Sequence, residues 1–355
     1  MTLFFLLQWR IRLTMRGSPV LLRTFQDLKL LTRFCFCGLA LWMAIAAAGC
    51  SRPSDPPPPR IAYVRGANVP LRDQLGPSST LRGSLESGEP VEVLATRPRW
   101  SQVRSASGRI GWIQSRFLAD PEVHERFRLL ADQSDALPSQ GAAILRREAN
   151  LHLEPGRDTE TFYHFPEREV VEVLAHRVAD GVPARPTGAG NGASAFEAED
   201  LPPAELAVQT LEDWLLVRAA GGKVGWLLES FVDMNPPVEV AQYREGLRIR
   251  AWFVIHREMD DGVEIPWYLW ATIRRVAGLP YDFEEIRVFV WNPNRDRYET
   301  SYRERNLIGF YPIRVGTQDT PRGPSPTFGL QVEDETGKRF EKNYVLAGRL
   351  VQRAP

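Results

Sequence analysis

Residues 88–118 read GEPVEVLATRPRWSQVRSASGRIGWIQSRFL, and much of that stretch recurs further along the chain. Residues 168–174 read REVVEVL, and residues 214–232 read WLLVRAAGGKVGWLLESFV. Trp100, Val103, Arg104, Gly108, Gly111, Trp112 and Phe117 match Trp214, Val217, Arg218, Gly222, Gly225, Trp226 and Phe231 at a constant offset of 114. Val91-Glu92-Val93-Leu94 matches Val171-Glu172-Val173-Leu174 at an offset of 80, so the second copy carries a 34-residue insertion inside one loop. Internal repetition sets the architecture before any finer reading. Here it predicts two small β modules in tandem.

Working outward, module one spans 60–119, with strands expected at Ile61–Val64, Val69–Leu71, Val91–Ala95, Ser101–Arg104 and Ile110–Gln114. Module two spans 141–233, with strands at Ala142–Arg146, Asn150–Leu153, Val170–Leu174, Leu215–Arg218 and Val224–Leu228. Five short β runs between Gly, Pro, Ser and Asp clusters indicate a small barrel. Gly108 and Gly222 sit where a hairpin needs positive φ. Gly111 and Gly225 precede a Trp on a strand, where a missing side chain lets a neighbour approach. Trp112 and Trp226 lie on alternating strands and are expected in the core. Trp100 and Trp214 begin a strand at the module edge and are the candidate ligand-binding residues. Residues 120–140 form a linker in which Val123, Phe127, Leu130 and Ala131 share one face of a short helix packed between the modules. The insertion, 180–212, is rich in Gly, Ala and Pro and is expected to be a disordered excursion.

The order of these motifs resembles the bacterial Src-homology-3 (SH3-like) domain. The resemblance rests on Asn68-Val69 and Asn150-Leu151, on Glu-Val-Leu at 92–94 and 172–174, and on Trp100 and Trp214. It rests equally on Gly-Arg-Ile-Gly-Trp at 108–112 and Gly-Lys-Val-Gly-Trp at 222–226. The family's usual Asn-Val-Arg-x-Gly-Pro arm reads Asn-Val-Pro-Leu-Arg in the first copy and Asn-Leu-His-Leu-Glu-Pro-Gly in the second. Aromatic-lined grooves of this fold bind extended peptides. The resemblance therefore implies an envelope ligand, either a peptidoglycan peptide or an extended protein segment.

Residues 34–49 form one apolar run preceded by Arg23, Lys29 and Arg33. Sixteen residues fall short of the roughly 20 that span a bilayer. A basic lead, a short apolar run and small residues at the cut describe a secretory signal, the alternative being an uncleaved anchor. Ala47-Ala48-Gly49-Cys50 resembles the bacterial lipoprotein box. That resemblance implies a signal peptide over 1–49, cleavage between Gly49 and Cys50, and a diacylglyceryl group on the Cys50 thiol. Ser51 in place of Asp then implies the outer membrane of a Gram-negative envelope. Ser51–Pro59 (SRPSDPPPP) is an extended tether within 50–59, reaching roughly 25–30 Å.

Of the chain's 44 basic and 44 acidic residues, the first 49 hold six and one, which leaves 38 against 43. A net charge near −5 argues against nucleic acid, which needs a basic footprint. Cys35 and Cys37 lie in the leader, so the remainder has only Cys50 and neither a disulfide nor a cysteine metal site is expected. A thiol peptidase needs a thiolate beside a His and is excluded on the same count. Neither HExxH nor G-x-S-x-G occurs. The histidines stand apart at 124, 152, 164, 176 and 256, and His152 and His176, on or near strands, are expected to be surface or semi-buried groups rather than ligands. No cofactor is implied and no catalysis is expected.

Residues 234–355 change character, with thirteen aromatic residues between Leu247 and Tyr311. Strands are expected at Leu247–Ile255, Glu264–Arg274, Ile286–Trp291, Arg297–Arg303, Tyr311–Val315, Thr327–Val332, Phe340–Leu346 and Leu350–Arg353. Eight strands with short turns make an antiparallel sandwich or barrel. The stretch 278–313 resembles tails of uncharacterised bacterial proteins that carry the same repeats. Asn292, Asn294, Asp296 and Glu299 imitate a calcium loop but lack its glycine and spacing, so a hairpin is expected. Tyr298, Tyr302, Arg303, Arg305 and Tyr311 form either an aromatic and basic surface or, as strand alternation favours, a set divided between core and solvent. The whole reads as a mainly β, non-catalytic envelope lipoprotein. Two other readings stay open: a scaffold component docking a protein through the C-terminal domain, and a hydrolase housed there.

Overall fold

The computed structural model describes residues 58–181, 210–321 and 323–354. The expected signal peptide with Gly49 and Cys50, nearly all of the tether, and most of the insertion lie outside the described residues.

The first module contains β1 (Arg60–Val64), β2 (Val69–Arg72), β3 (Leu81–Leu85), β4 (Pro90–Arg97), β5 (Trp100–Ser105), β6 (Ile110–Gln114) and β7 (Leu118–Ala119). They form one antiparallel sheet in the order β3-β2-β6-β5-β4-β1-β7. Alternation turns Val64, Val69, Leu71, Leu85, Val91, Val103 and Ile113 inward to a small core. Gly108 makes the β5–β6 turn at φ 81°. At Gly111 a Cβ would lie 2.6 Å from the Arg72 carbonyl oxygen, so only glycine lets β2 cross here.

The next seven strands are β8 (Ala142–Leu145), β9 (Ala149–His152), β10 (Thr161–Phe165), β11 (Val170–Asp180), β12 (Leu211–Ala219), β13 (Val224–Leu228) and β14 (Val232–Met234). Their order, β10-β9-β13-β12-β11-β8-β14, repeats the first sheet strand for strand. Even the bulge recurs, after Val93 in one sheet and after Val173 in the other. The copies differ at one hairpin. β4 and β5 end on the pair Arg97–Trp100, whereas β11 and β12 continue past the matching Arg177–Trp214 through Val178–Asp213, Ala179–Glu212 and Asp180–Leu211. The insertion thus prolongs the hairpin into a ribbon.

Helix α1 (Pro121–Ser134) runs between the two sheets, with Pro at its first position where no backbone partner is lost. It buries Val123 and Phe127. His124 stacks on Tyr63 of β1 at 3.9 Å between ring centroids and meets Phe162 of β10 edge-on.

The C-terminal region forms two four-stranded meanders. One holds β15 (Arg248–Asp260), β16 (Val263–Ile273), β17 (Glu285–Asn292) and β18 (Arg297–Glu304). The other holds β19 (Ile308–Thr320), β20 (Gly323–Glu333), β21 (Arg339–Ala347) and β22 (Leu350–Arg353). Phe253, Trp267, Leu269, Val288 and Val290 of the first face Ile313, Phe328, Leu330, Tyr344 and Leu346 of the second, which makes the region a sandwich. The first sheet is apolar on both sides. Its outer face carries Ile249, Tyr268, Trp270, Phe289 and Tyr298, covered in part by Val240 of the short helix α2 (Val238–Ala241). A bulge at Ser301 places Tyr298 on that outer face and Tyr302 against the sandwich core, because one extra residue reverses which side follows.

Candidate functional site

On the first module, β5 and β6 pair Trp100 with Gln114 and Gln102 with Trp112. Paired residues share a face, so these four side chains lie together with Arg72 of β2, which pairs with Trp112. All five are half-buried. The two indoles sit diagonally across adjacent strands, a spacing of about 7–8 Å between backbones. The face is an aromatic pair ringed by amide and guanidinium donors. It can stack on or hydrogen-bond an extended or ring-shaped ligand. Trp112, expected in the core, is therefore partly on the surface.

The matching face of the second module is built from different residues and meets a different fate. Leu216, Leu228 and Val224 stand where the first copy has Gln102, Gln114 and Ile110, and with Leu174, Trp214 and Trp226 they form one buried apolar cluster. Leu130 and Ala131 of α1 pack on it, and Arg218 donates to the Ser134 carbonyl at 2.6 Å. Trp214 is only 1 % exposed, so it is not the exposed binding platform expected from its sequence position. It borders a hollow of about 260 Å³ with His152 and Arg157, yet its ring is enclosed, with His152 edge-on at 5.0 Å. The physical reason is composition: an apolar face seeks cover, and the linker helix supplies it. Trp226 is buried as expected, and Gly222 and Gly225 repeat the turn and close-approach roles of the first copy.

A second constellation lies where the prolonged hairpin meets the sandwich. His176 on β11 stands 2.9 Å (Nε2) from Asp213 Oδ1 on β12 and 2.7 Å (Nδ1) from Asp282 Oδ1 in the segment before β17. Its imidazole, expected to be a surface or semi-buried group, is 3 % exposed. Both ring nitrogens face carboxylate oxygens, so both donate only when the ring is protonated. Burial favours the neutral ring, but the hydrogen bonds to Asp213 and Asp282 outweigh it, and His176 titrates above the ordinary histidine value. Burial works against the Asp213 carboxylate, yet the bond from His176 and the charge of Arg250 hold its pKa below normal. Arg250 of β15, its side chain 1 % exposed, lies 3.6 Å from Asp213 and 2.7 Å from Glu229 as ion pairs without aligned hydrogen bonds. Arg248 also reaches Glu229. Three cationic side chains face three carboxylates, as a buried charge cluster requires. The Tyr311 amide donates to Asp282 at 2.6 Å and its hydroxyl to the Arg250 carbonyl at 2.6 Å. Gln140 completes the joint: its side-chain oxygen accepts from the Ile313 amide at 2.8 Å, and its carbonyl accepts from the Trp252 amide at 3.0 Å.

Sequence reasoning missed this group, since Asp213, Asp282, Glu229 and Arg250 come from four separate segments without a shared spacing. It joins the second module to the sandwich, and the imidazole has both nitrogens engaged. Among the described residues no group of three or more His, Cys, Asp and Glu is placed to hold a metal ion. The Asn292–Glu299 stretch is a hairpin in which Asn292, Arg295 and Arg297 all bond Glu299, and those bonds lower its pKa to about 2.

Residues 67–119 match the family model of the bacterial SH3 domain. Comparison with curated proteins gave no match. Among solved structures, the chain is similar to NlpC2 from Trichomonas vaginalis at 14 % identity, covering 50 % of this chain and 48 % of that one with a TM-score of 0.16. NlpC1 from the same organism aligns at 14 % identity over 53 % and 50 % of the two chains, with a TM-score of 0.17. The alignments thus span about half of each relative, and scores so low carry no argument about activity. The first module contains a bacterial SH3 domain within a mainly β chain.

Proposed function

We propose that this chain is a non-catalytic cell-envelope lipoprotein that holds a peptidoglycan peptide, or an extended protein segment, on the open face of its first module. The observation that supports this reading is the half-buried Trp100–Trp112 pair with Gln102, Gln114 and Arg72, set in the stretch that matches the bacterial SH3 domain. Domains of that family commonly serve wall recognition. The second module, with the same strand order, reads as another copy whose equivalent face has become an internal contact. In this reading the second module carries the joint to the sandwich, and Trp214 leaves the binding site. Cys50 carries the lipid, and Ser51 directs the chain to the outer membrane.

Two measurements test the proposal. Titration of the protein with soluble wall muropeptides should change tryptophan fluorescence, and Trp100→Ala should remove the response; a response that survives the substitution contradicts the assigned face. Labelled palmitate should enter the protein in a Gram-negative host and should not enter Cys50→Ser. A second reading, docking of an envelope protein by the sandwich, draws support from a groove of about 720 Å³ that includes His256, Trp267, Pro324, Pro326, Leu346 and Arg349. Muropeptide silence combined with capture of a partner by the isolated envelope fraction would favour it.

A further inference from the structure

Beside the buried joint, between the second module and the sandwich, lies a hollow of about 170 Å³ whose wall carries Arg146, Arg244, Arg248, Arg250 and Arg275 against only two carboxylates, Glu229 and Asp233. Asp233 takes Arg146 at 3.1 Å, and Glu229 is shared by Arg248 and Arg250. Two guanidinium groups are left without a carboxylate. Arg275 is exposed and donates its Nε to the Gly246 carbonyl at 3.0 Å, and Arg244 is exposed with no side-chain partner among the described residues. At the back, Arg250 is 2 % exposed, and its three guanidinium nitrogens are buried without an aligned hydrogen bond. Asp213, 3.6 Å behind it, is already engaged by His176.

We propose that this hollow is a site for an oxyanion group, a carboxylate or a phosphate. With Arg146 paired to Asp233, and Arg248 and Arg250 held by Glu229 and by Asp213 behind them, Arg244 and Arg275 leave an excess of two positive charges on the wall, a repulsion that an anion relieves. The guanidinium fork matches the paired oxygens of carboxylate and phosphate and donates to them through charge-assisted bonds. The volume is below the roughly 300 Å³ at which pockets begin to enclose a whole organic ligand. The hollow therefore takes the terminal charged group of a larger molecule that rests on the surface outside. This site stands apart from the Trp100 face, and either assignment can fail without the other.

Isothermal titration calorimetry of the full protein in chloride buffer tests it, with four probes: inorganic phosphate, acetate, a short peptide with a free C-terminal carboxylate, and the same peptide amidated. Phosphate or carboxylate should bind the wild type, and Arg244→Ala/Arg275→Ala should weaken that binding by roughly tenfold or more. The thermal midpoint of the double variant in chloride should match the wild type, since both arginines are exposed. Binding of the free peptide but not the amide assigns a peptide carboxylate; binding of phosphate alone assigns a phosphate group. If no probe gives heat beyond that of chloride, or if the double variant binds as the wild type does, the proposal is overturned.

Discussion

The Nδ1 of His176 lies 2.7 Å from Asp282 Oδ1, a contact that joins the second module to the sandwich across 106 positions of sequence. His176 pairs with Leu215 at a position both hairpins share, matching Thr96–Ser101, whereas its partner Asp213 stands on the part by which β11 and β12 run beyond the first module's hairpin. The longer hairpin of the second module thereby supplies one carboxylate of the joint, Asp213, which also accepts from the Gly278 amide at 3.3 Å. Position 96 of the first copy, which corresponds to His176, is Thr96, and it is exposed.

Removing the imidazole should be costly. His176→Ala leaves Asp213 and Asp282 facing one another with no cation between them. Breaking a buried charge group in this way costs about 3–5 kcal/mol. Urea unfolding followed by tryptophan emission should show a lower midpoint for the transition that includes the sandwich. An unchanged midpoint would mean that the pair contributes nothing to the joint.

The same joint makes stability depend on pH with a definite sign. His176 has a raised folded pKa, so its contribution is complete below the unfolded value of about 6.5 and is lost as pH rises through the folded value. Asp213 has a lowered folded pKa, so its contribution is present above the unfolded value of about 3.9 and is lost as pH falls through the folded value. The joint is therefore strongest between the two unfolded values. Thermal midpoints measured from pH 6 to pH 9 should fall in the wild type and stay nearly level in His176→Asn. Parallel curves for the two proteins would assign the pH dependence to other groups.

Two glycines of the first module should fail for different reasons. Gly111→Ala places a Cβ 2.6 Å from the Arg72 carbonyl and 2.7 Å from Leu71, and the resulting overpacking costs roughly 1–3 kcal/mol. Gly108→Ala meets no atom within 4 Å, but φ of 81° strains it by about 1 kcal/mol. Chemical unfolding of both variants should rank Gly111→Ala as the weaker protein. The reverse order would show that backbone strain outweighs the crossing.

The matched tryptophans should separate stability from binding. Trp214→Ala empties a buried site and should lower stability by about 3–5 kcal/mol. Trp100→Ala removes a half-buried ring and should cost about 1 kcal/mol or less while abolishing ligand binding. Paired measurements of unfolding midpoint and muropeptide affinity check this, and equal losses of stability would contradict the difference in burial.

The repeat and the strand runs around it could be read directly, because Gly108, Gly111, Trp112 and their partners recur at one offset and each serves a local need of the hairpin. All eight C-terminal strands fall on runs visible in the sequence, from Arg248–Asp260 to Leu350–Arg353. β3 and β10 were not foreseen, since Leu81–Leu85 and Thr161–Phe165 lack a clean alternation. The fate of Trp214 was hidden for another reason. Its burial depends on Leu216 and Leu228 replacing glutamines, and on α1 lying over them, which is a tertiary fact. The His176 joint was hidden too, because buried charge pairs form between segments whose proximity only the fold decides.

The most direct measurement is a pull-down of the protein with purified, protein-free peptidoglycan sacculi at low and moderate salt, run beside Trp100→Ala/Trp112→Ala. Retention of the wild type at both salt levels, with loss in the double variant and an unfolding midpoint that stays cooperative, is the expected result. Absence of wild-type retention, or equal retention of the double variant, would contradict wall recognition by the open face of the first module.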